Sequence, residues 1–147
     1  MKIIKGDITT IKKGVIVHQV NCRNRIGAGL SGKLIAAYPV IESYYHYAFD
    51  HESARNLFGT YQAVPVTDDL TVINSFTQFY YGNAMKNGRV YTDMDKLVAV
   101  LSHICERYHN VYIPKGIGCG LAGGNWDELT SRIEHLPLTV VAYEYVK

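Results

Sequence analysis

The sequence predicts an α/β domain built on a mixed, mainly parallel sheet with helices on both faces. Three observations carry that expectation. Segments of strand character alternate with amphipathic helical segments along the chain, except at one hairpin. The run Val15 to Val20 is strongly β-branched and hardly alternates, as befits a central strand buried on both faces. Two glycine-rich turns each lead from a buried-looking strand into a helix. In such sheets ligands bind beyond the carboxyl ends of the strands, so two turns of this kind on neighbouring strands would face each other across one crevice.

Residues 2–5 read as the first strand, closed by Gly6-Asp7-Ile8-Thr9, where Asp7 suits an Asx-turn or a helix cap. Gly14 breaks the chain before the second strand. The stretch from His18 to Gly32 then forms the first glycine-rich turn. Its glycines permit positive φ and close approach to a ligand, while the N–H groups and dipole of the helix start favour a phosphate. Leu30, Leu34, Ala37 and Tyr38 fall at helical spacing until Pro39 enforces a stop. Val40, Ile41, Tyr44, Tyr45 and Ala48 predict another helix to about Asp50, its tyrosines lining the core.

A hairpin is expected from Gly59–Val64 and Leu70–Asn74 around the turn Asp68-Asp69. Ser75 to Tyr91 shows neither helical nor strand period and reads as a long loop, either a functional lid or a mobile surface segment. Thr92 starts the clearest helix, with Thr92-Asp93-Met94-Asp95 resembling a capping box. Leu97, Val100, Leu101, Ile104 and Tyr108 form its apolar stripe, and Cys105 lies beside it as an inert thiol. Val111-Tyr112-Ile113 is a short strand that runs into the second glycine-rich turn, Pro114 to Trp126. Asn125 is placed to cap the next helix, with Glu128 completing a capping box. Trp126, Leu129, Ile133 and Leu136 supply that helix's buried face, Pro137 ends it, and Leu138 to Tyr145 is a sixth strand.

At 147 residues the chain makes a single domain, 1–147, able to bury about two-thirds of its unfolded surface. Hydrophobic content of 48% and charged content of 19% describe a soluble globular protein. The formal charge of +2 and the absence of long basic runs argue against tracking a nucleic-acid backbone or a membrane surface. Cys22, Cys105 and Cys119 are odd in number and widely spaced, which fits reduced thiols in a cytoplasm and no structural zinc. No signal peptide or membrane span is expected.

Four stretches, in order and spacing, resemble the macrodomain family of ADP-ribose-binding modules over nearly the full chain. They are Gly6-Asp7-Ile8, His18-Gln19-Val20-Asn21-Cys22, Ile26-Gly27-Ala28-Gly29 and Ile117–Trp126. The chain looks most similar to the branch holding ADP-ribose 1''-phosphate phosphatases and terminal ADP-ribose glycohydrolases, which has phage and bacterial members. The resemblance implies a three-layer α-β-α macrodomain fold around a six-stranded sheet. It also implies roles. Asp7 would accept from the adenine amine and the Ile8 N–H would read a ring nitrogen. Asn21 would hold the distal ribose. Gly27, Ala28 and Gly29 would line one side of the diphosphate, and Gly118, Cys119, Gly120 and Leu121 the other. Tyr143 would flank the adenine, with Tyr145, on the same strand face, as the alternative.

The lysine that glycohydrolases of this branch carry after the fourth strand is missing from Asn74–Gln78, and Ala122 stands where some carry an aspartate. His18 occupies the position of a phosphatase histidine. The leading expectation is therefore hydrolysis of ADP-ribose 1''-phosphate without metal or cofactor, with His18 orienting or deprotonating water and Asn21 fixing the ribose. Two alternatives stand beside it. One is a non-catalytic ADP-ribose reader. The other is a glycohydrolase acting on ADP-ribosylated protein or nucleic acid through Asn24, Gln78 or Asp127. Asn24 also fits a turn needing positive φ, and Asp127 the first turn of a helix. Arg23 and Arg25 could meet a terminal phosphate or a macromolecular substrate.

Overall fold

The structure, a computed structural model, describes residues 1–143. Tyr145, the alternative adenine neighbour, lies outside them. Six strands form one sheet: β1 (Lys2–Lys5), β2 (Gly14–Asn21), β3 (Tyr61–Pro65), β4 (Leu70–Gln78), β5 (Val111–Pro114) and β6 (Leu138–Ala142). Their order is β1-β6-β5-β2-β4-β3, and every neighbouring pair is parallel except the β3–β4 hairpin. This is the expected mixed, mainly parallel sheet. β2 lies between β4 and β5, so the two strands that carry the glycine-rich turns are neighbours.

The pleat of β2 sends alternate side chains to two separate cores. Val15 and Val17 pack with Leu97, Val100, Leu101 and Ile104 of α4 (Met94–Arg107) and Leu129 and Ile133 of α5 (Trp126–Ile133). Ile16 faces the other way, toward Leu34 of α1 (Gly29–Ala37) and Ile41 of α2 (Val40–His51). Val20 joins Tyr45 and Phe76 in a third cluster on that second face. The result is three layers, helix, sheet and helix. A short helix, α3 (Ala54–Leu57), capped by Ser53, leads into β3.

Several local expectations need correction. β4 continues through Ser75, Phe76, Thr77 and Gln78, so the supposed loop begins only at Phe79. Asn74, Ser75 and Thr77 are buried polar residues, and their polarity hid the strand's second half. Tyr45 is fully buried, but Tyr44 is 37% exposed and lines no core. The cap of α4 is Asp93, whose side chain accepts from the Lys96 N–H at 3.0 Å, and Thr92 lies outside the helix. α5 stops at Ile133, ahead of Pro137. Among the described residues no helix is long and apolar enough to cross a membrane.

Candidate functional site

The two glycine-rich turns leave the carboxyl ends of β2 and β5 and enclose a cleft of about 560 Å³. His18, Asn21, Gly27, Ala28 and Gly29 line one side, and Gly118, Gly120, Leu121 and Ala122 the other. The wall behind the first turn is held by close backbone contact. A Cβ on Gly32 would sit 2.5 Å from the Gly27 carbonyl oxygen, so only glycine lets α1 pack under the turn. The second turn is held likewise. A Cβ on Gly124 would sit 2.6 Å from the Gly118 carbonyl, which accepts the Gly124 N–H at 2.9 Å.

Backbone donors are what these walls offer. Within the second turn the Ile117, Cys119, Gly123 and Gly124 N–H groups are used on Pro114, Gly116, Gly120 and Gly118 carbonyls. The N–H groups of Gly118, Gly120 and Leu121 have no acceptor among the described residues. Those of Gly27, Ala28 and Gly29 at the start of α1 are equally unpaired among them. Of the four second-turn residues expected to line the diphosphate, Cys119 thus has its N–H already committed and lies outside the cleft lining. Its thiol also donates to the Ile117 carbonyl at 3.2 Å, and burial pushes its pKa up to about 11.

The charge distribution matches. The cleft lining includes the cations Arg25 and Lys115 and no acidic residue. The chain's net charge of +2 does not by itself show this. The cleft mouth is therefore a positive, donor-lined slot suited to an anion. Arg25 donates to the Tyr81 hydroxyl at 2.5 Å with its guanidinium 4.7 Å from that ring, and Arg23 lies 5.7 Å from the Tyr80 ring.

His18 sits behind the first wall and is 2% exposed. Its Nε2 lies 2.5 Å from Asn74 Oδ1 and its Nδ1 2.9 Å from Ser31 Oγ. Burial lowers its pKa from the ordinary 6.5 to about 4, against the opposing pull of the Asn74 hydrogen bond. The ring is neutral at physiological pH. On the other face of β2, Gln19 donates to Gln78 and Thr92 and accepts from Thr77, while Thr92 donates to the Gly118 carbonyl at 2.6 Å. No buried side-chain nitrogen or oxygen among the described residues lacks a partner.

Asn21 organises the turn that follows it. Its amide donates to the Arg25 carbonyl at 2.6 Å, and its oxygen accepts from the Arg23 N–H at 2.9 Å with the Tyr45 hydroxyl 2.8 Å away. Tyr45, expected only as core, is thus the buried post on which residues 21–25 are hung. Asn24 takes φ 59°, the left-handed conformation, with its side chain on His46 rather than at the cleft. Gln78 does line the cleft, and Asp127 belongs to the first turn of α5.

Asp7, Ile8 and Tyr143 lie apart from the cleft lining. Asp7 Oδ1 caps a short 3₁₀ turn, accepting from the Thr9 N–H and hydroxyl, and these bonds hold its carboxyl below the usual range with help from Lys33. Lys33, on α1, also stands 5.4 Å over the Tyr143 ring. The same helix therefore links the cleft to the Asp7 and Tyr143 end. The segment after β4 docks on the second turn through Ala84 N–H to Leu121 and Tyr91 N–H to Ala122, so it is a built part of that wall.

No family model matches the chain. Over 134 residues it is 28% identical to an uncharacterized 17.5 kDa protein of Enterobacteria phage T4, covering 86% of this chain and 83% of that one. Its structure is similar to a protein of unknown function from Bacteroides thetaiotaomicron, at TM-score 0.81 and 28% identity over 96% of each chain. It is also similar to the macrodomain of Mycobacterium tuberculosis DarG, at TM-score 0.71 and 20% identity over 99% of this chain and 97% of that one. The chain has the macrodomain fold. A further similar structure is Thermosipho africanus DarTG in complex with ADP-ribose, at TM-score 0.70 and 14% identity over 99% of this chain and 43% of that one. In this fold the two glycine-rich turns read from the sequence are the two walls of the cleft. The residues that sequence reading missed are Ser31, Asn74, Gln62, Gln19 and Thr92, which act through one another across strands.

Proposed function

We propose that this macrodomain binds ADP-ribose in the cleft and takes ADP-ribose 1''-phosphate as its hydrolytic substrate. The observation that carries the reading is the pair of facing backbone rows, three N–H groups each without an acceptor among the described residues, in a cleft whose lining includes no acidic residue. Two such rows suit a diphosphate held between them. The likeness to DarTG in complex with ADP-ribose supports the same ligand. Asn21 stands at one end for the distal ribose. At the other end Asp7 would accept from the adenine amine through its second oxygen, Ile8 would read a ring nitrogen, and Tyr143, 64% exposed, would flank the base.

A phosphate ester at the distal end would meet the same donors, which stabilise charge on its oxygens during attack by water. His18 enters this reaction only through Ser31, because both of its ring nitrogens are engaged and only 2% of its surface is exposed. One observation favours a second reading, a binding module without turnover: the cleft lining holds no acidic side chain, and its histidine is kept neutral. Phosphate release from ADP-ribose 1''-phosphate, measured beside calorimetric titration with ADP-ribose, separates them. Release that is lost in Asn21→Ala supports the phosphatase. Tight binding with no release supports the binding module, and neither binding nor release would remove the reading altogether.

A further inference from the structure

We infer that Ser31 is a ligand-contacting residue of fixed polarity, whose oxygen accepts a sugar hydroxyl of the bound dinucleotide and turns phosphate away. This rests on the ADP-ribose reading of the cleft.

The polarity can be followed from a backbone carbonyl, which can only accept. The Tyr44 carbonyl lies 2.7 Å from Gln62 Nε2, so Gln62 presents its oxygen to Asn74 Nδ2 at 3.0 Å. Asn74 must then turn its own oxygen toward His18 Nε2. An amide oxygen accepts, so Nε2 carries the hydrogen. A neutral imidazole holds one ring hydrogen, so Nδ1 is a bare acceptor and Ser31 Oγ–H donates to it at 2.9 Å. The sheet sets this geometry. Asn74 is the Cα partner of His18 on one side and of Gln62 on the other, across three adjacent strands.

Ser31 has therefore spent its only hydrogen inward. It lines the cleft, partly exposed, in the first turn of α1. What it shows the ligand is lone pairs alone, beside backbone that shows N–H groups. A serine at a helix start ordinarily donates to a phosphate. Here an anionic oxygen would meet another acceptor, whereas a sugar hydroxyl completes the bond. The slot thus alternates donor and acceptor along its first wall, which sets where phosphate and sugar can lie.

The test is calorimetric titration of ADP-ribose, ADP and inorganic pyrophosphate into the wild type, Ser31→Ala and Ser31→Thr. Loss of one neutral hydrogen bond weakens ADP-ribose about three- to tenfold in Ser31→Ala. Pyrophosphate, which has no sugar hydroxyl, binds Ser31→Ala no more weakly than the wild type, and Ser31→Thr restores ADP-ribose affinity. A loss seen with ADP-ribose but not ADP assigns the contact to the distal ribose; a loss with both assigns it to the adenosine ribose. Unchanged ADP-ribose affinity in Ser31→Ala, or equal weakening of pyrophosphate, would overturn the inference. A wild type that fails to bind ADP-ribose overturns the reading it rests on. Nitrogen chemical shifts of His18 in the free protein test the polarity by themselves, and a ring protonated at Nδ1 would overturn it whatever binds.

Discussion

His18 and Gln19 are consecutive residues of β2, point to opposite faces of the sheet, and each anchors a polar network under one wall of the cleft. The networks divide differently. That of Gln19 has two branches: Thr92 donates to the Gly118 carbonyl and fixes the shape of the second turn, while Gln78 lies in the cleft lining. That of His18 emerges at the cleft as the Ser31 side chain. The second wall therefore takes the position of its backbone donors from one network, while the first gains a hydroxyl whose direction is set through His18 by Asn74, 56 residues from that histidine in sequence. Of the two anchoring residues only His18 titrates.

The largest expected effect uses that asymmetry. His18 binds a proton near its ordinary pKa of 6.5 when unfolded but only near 4 when folded. Between these values the unfolded state holds more protons, so stability falls as pH drops from 6.5 toward 4, by about 3 kcal/mol at most. Urea denaturation across that range should show the loss, and His18→Gln should flatten the slope. Gln19→Met should leave the slope intact. An equal slope in His18→Gln would show that another group sets it.

Next come the glycines that close each wall. Gly32→Ala and Gly124→Ala each press a methyl on a backbone oxygen, at a cost of about 1–3 kcal/mol in stability. Each should also weaken ADP-ribose about tenfold, since a displaced loop loses roughly one charge-assisted hydrogen bond. If only one does so, the slot has a single wall. Thr92→Val removes the hydroxyl joining Gln19 to Gly118 and should cost about 1 kcal/mol in urea denaturation. It should leave the His18 titration unchanged. The smallest effect belongs to Asn24→Gly, expected within about 0.5 kcal/mol because glycine takes the left-handed conformation freely. Unchanged turnover in that variant would exclude Asn24 from chemistry.

What the sequence made legible follows from how local each feature is. The β-branched run of β2 and the glycine-rich exits of β2 and β5 announce themselves within a dozen residues, as does Asn125, whose side chain accepts from the Glu128 N–H. The second half of β4 did not. Its Asn74, Ser75 and Thr77 look like loop residues until partners on β2 and β3 are known, and those partners depend on strand register. His18 stood out for its residue type, yet its burial and its bond to Ser31 needed the fold. Asp93 rather than Thr92 caps α4 because Thr92 is occupied at the cleft wall.

The central claim is that both walls together hold one diphosphate, and calorimetric titration with ADP-ribose tests it most directly. The wild type should bind with saturable one-to-one stoichiometry, and Gly32→Ala and Gly124→Ala should each weaken that binding. Absence of saturable binding by the folded wild type, or full affinity in both variants, would contradict it.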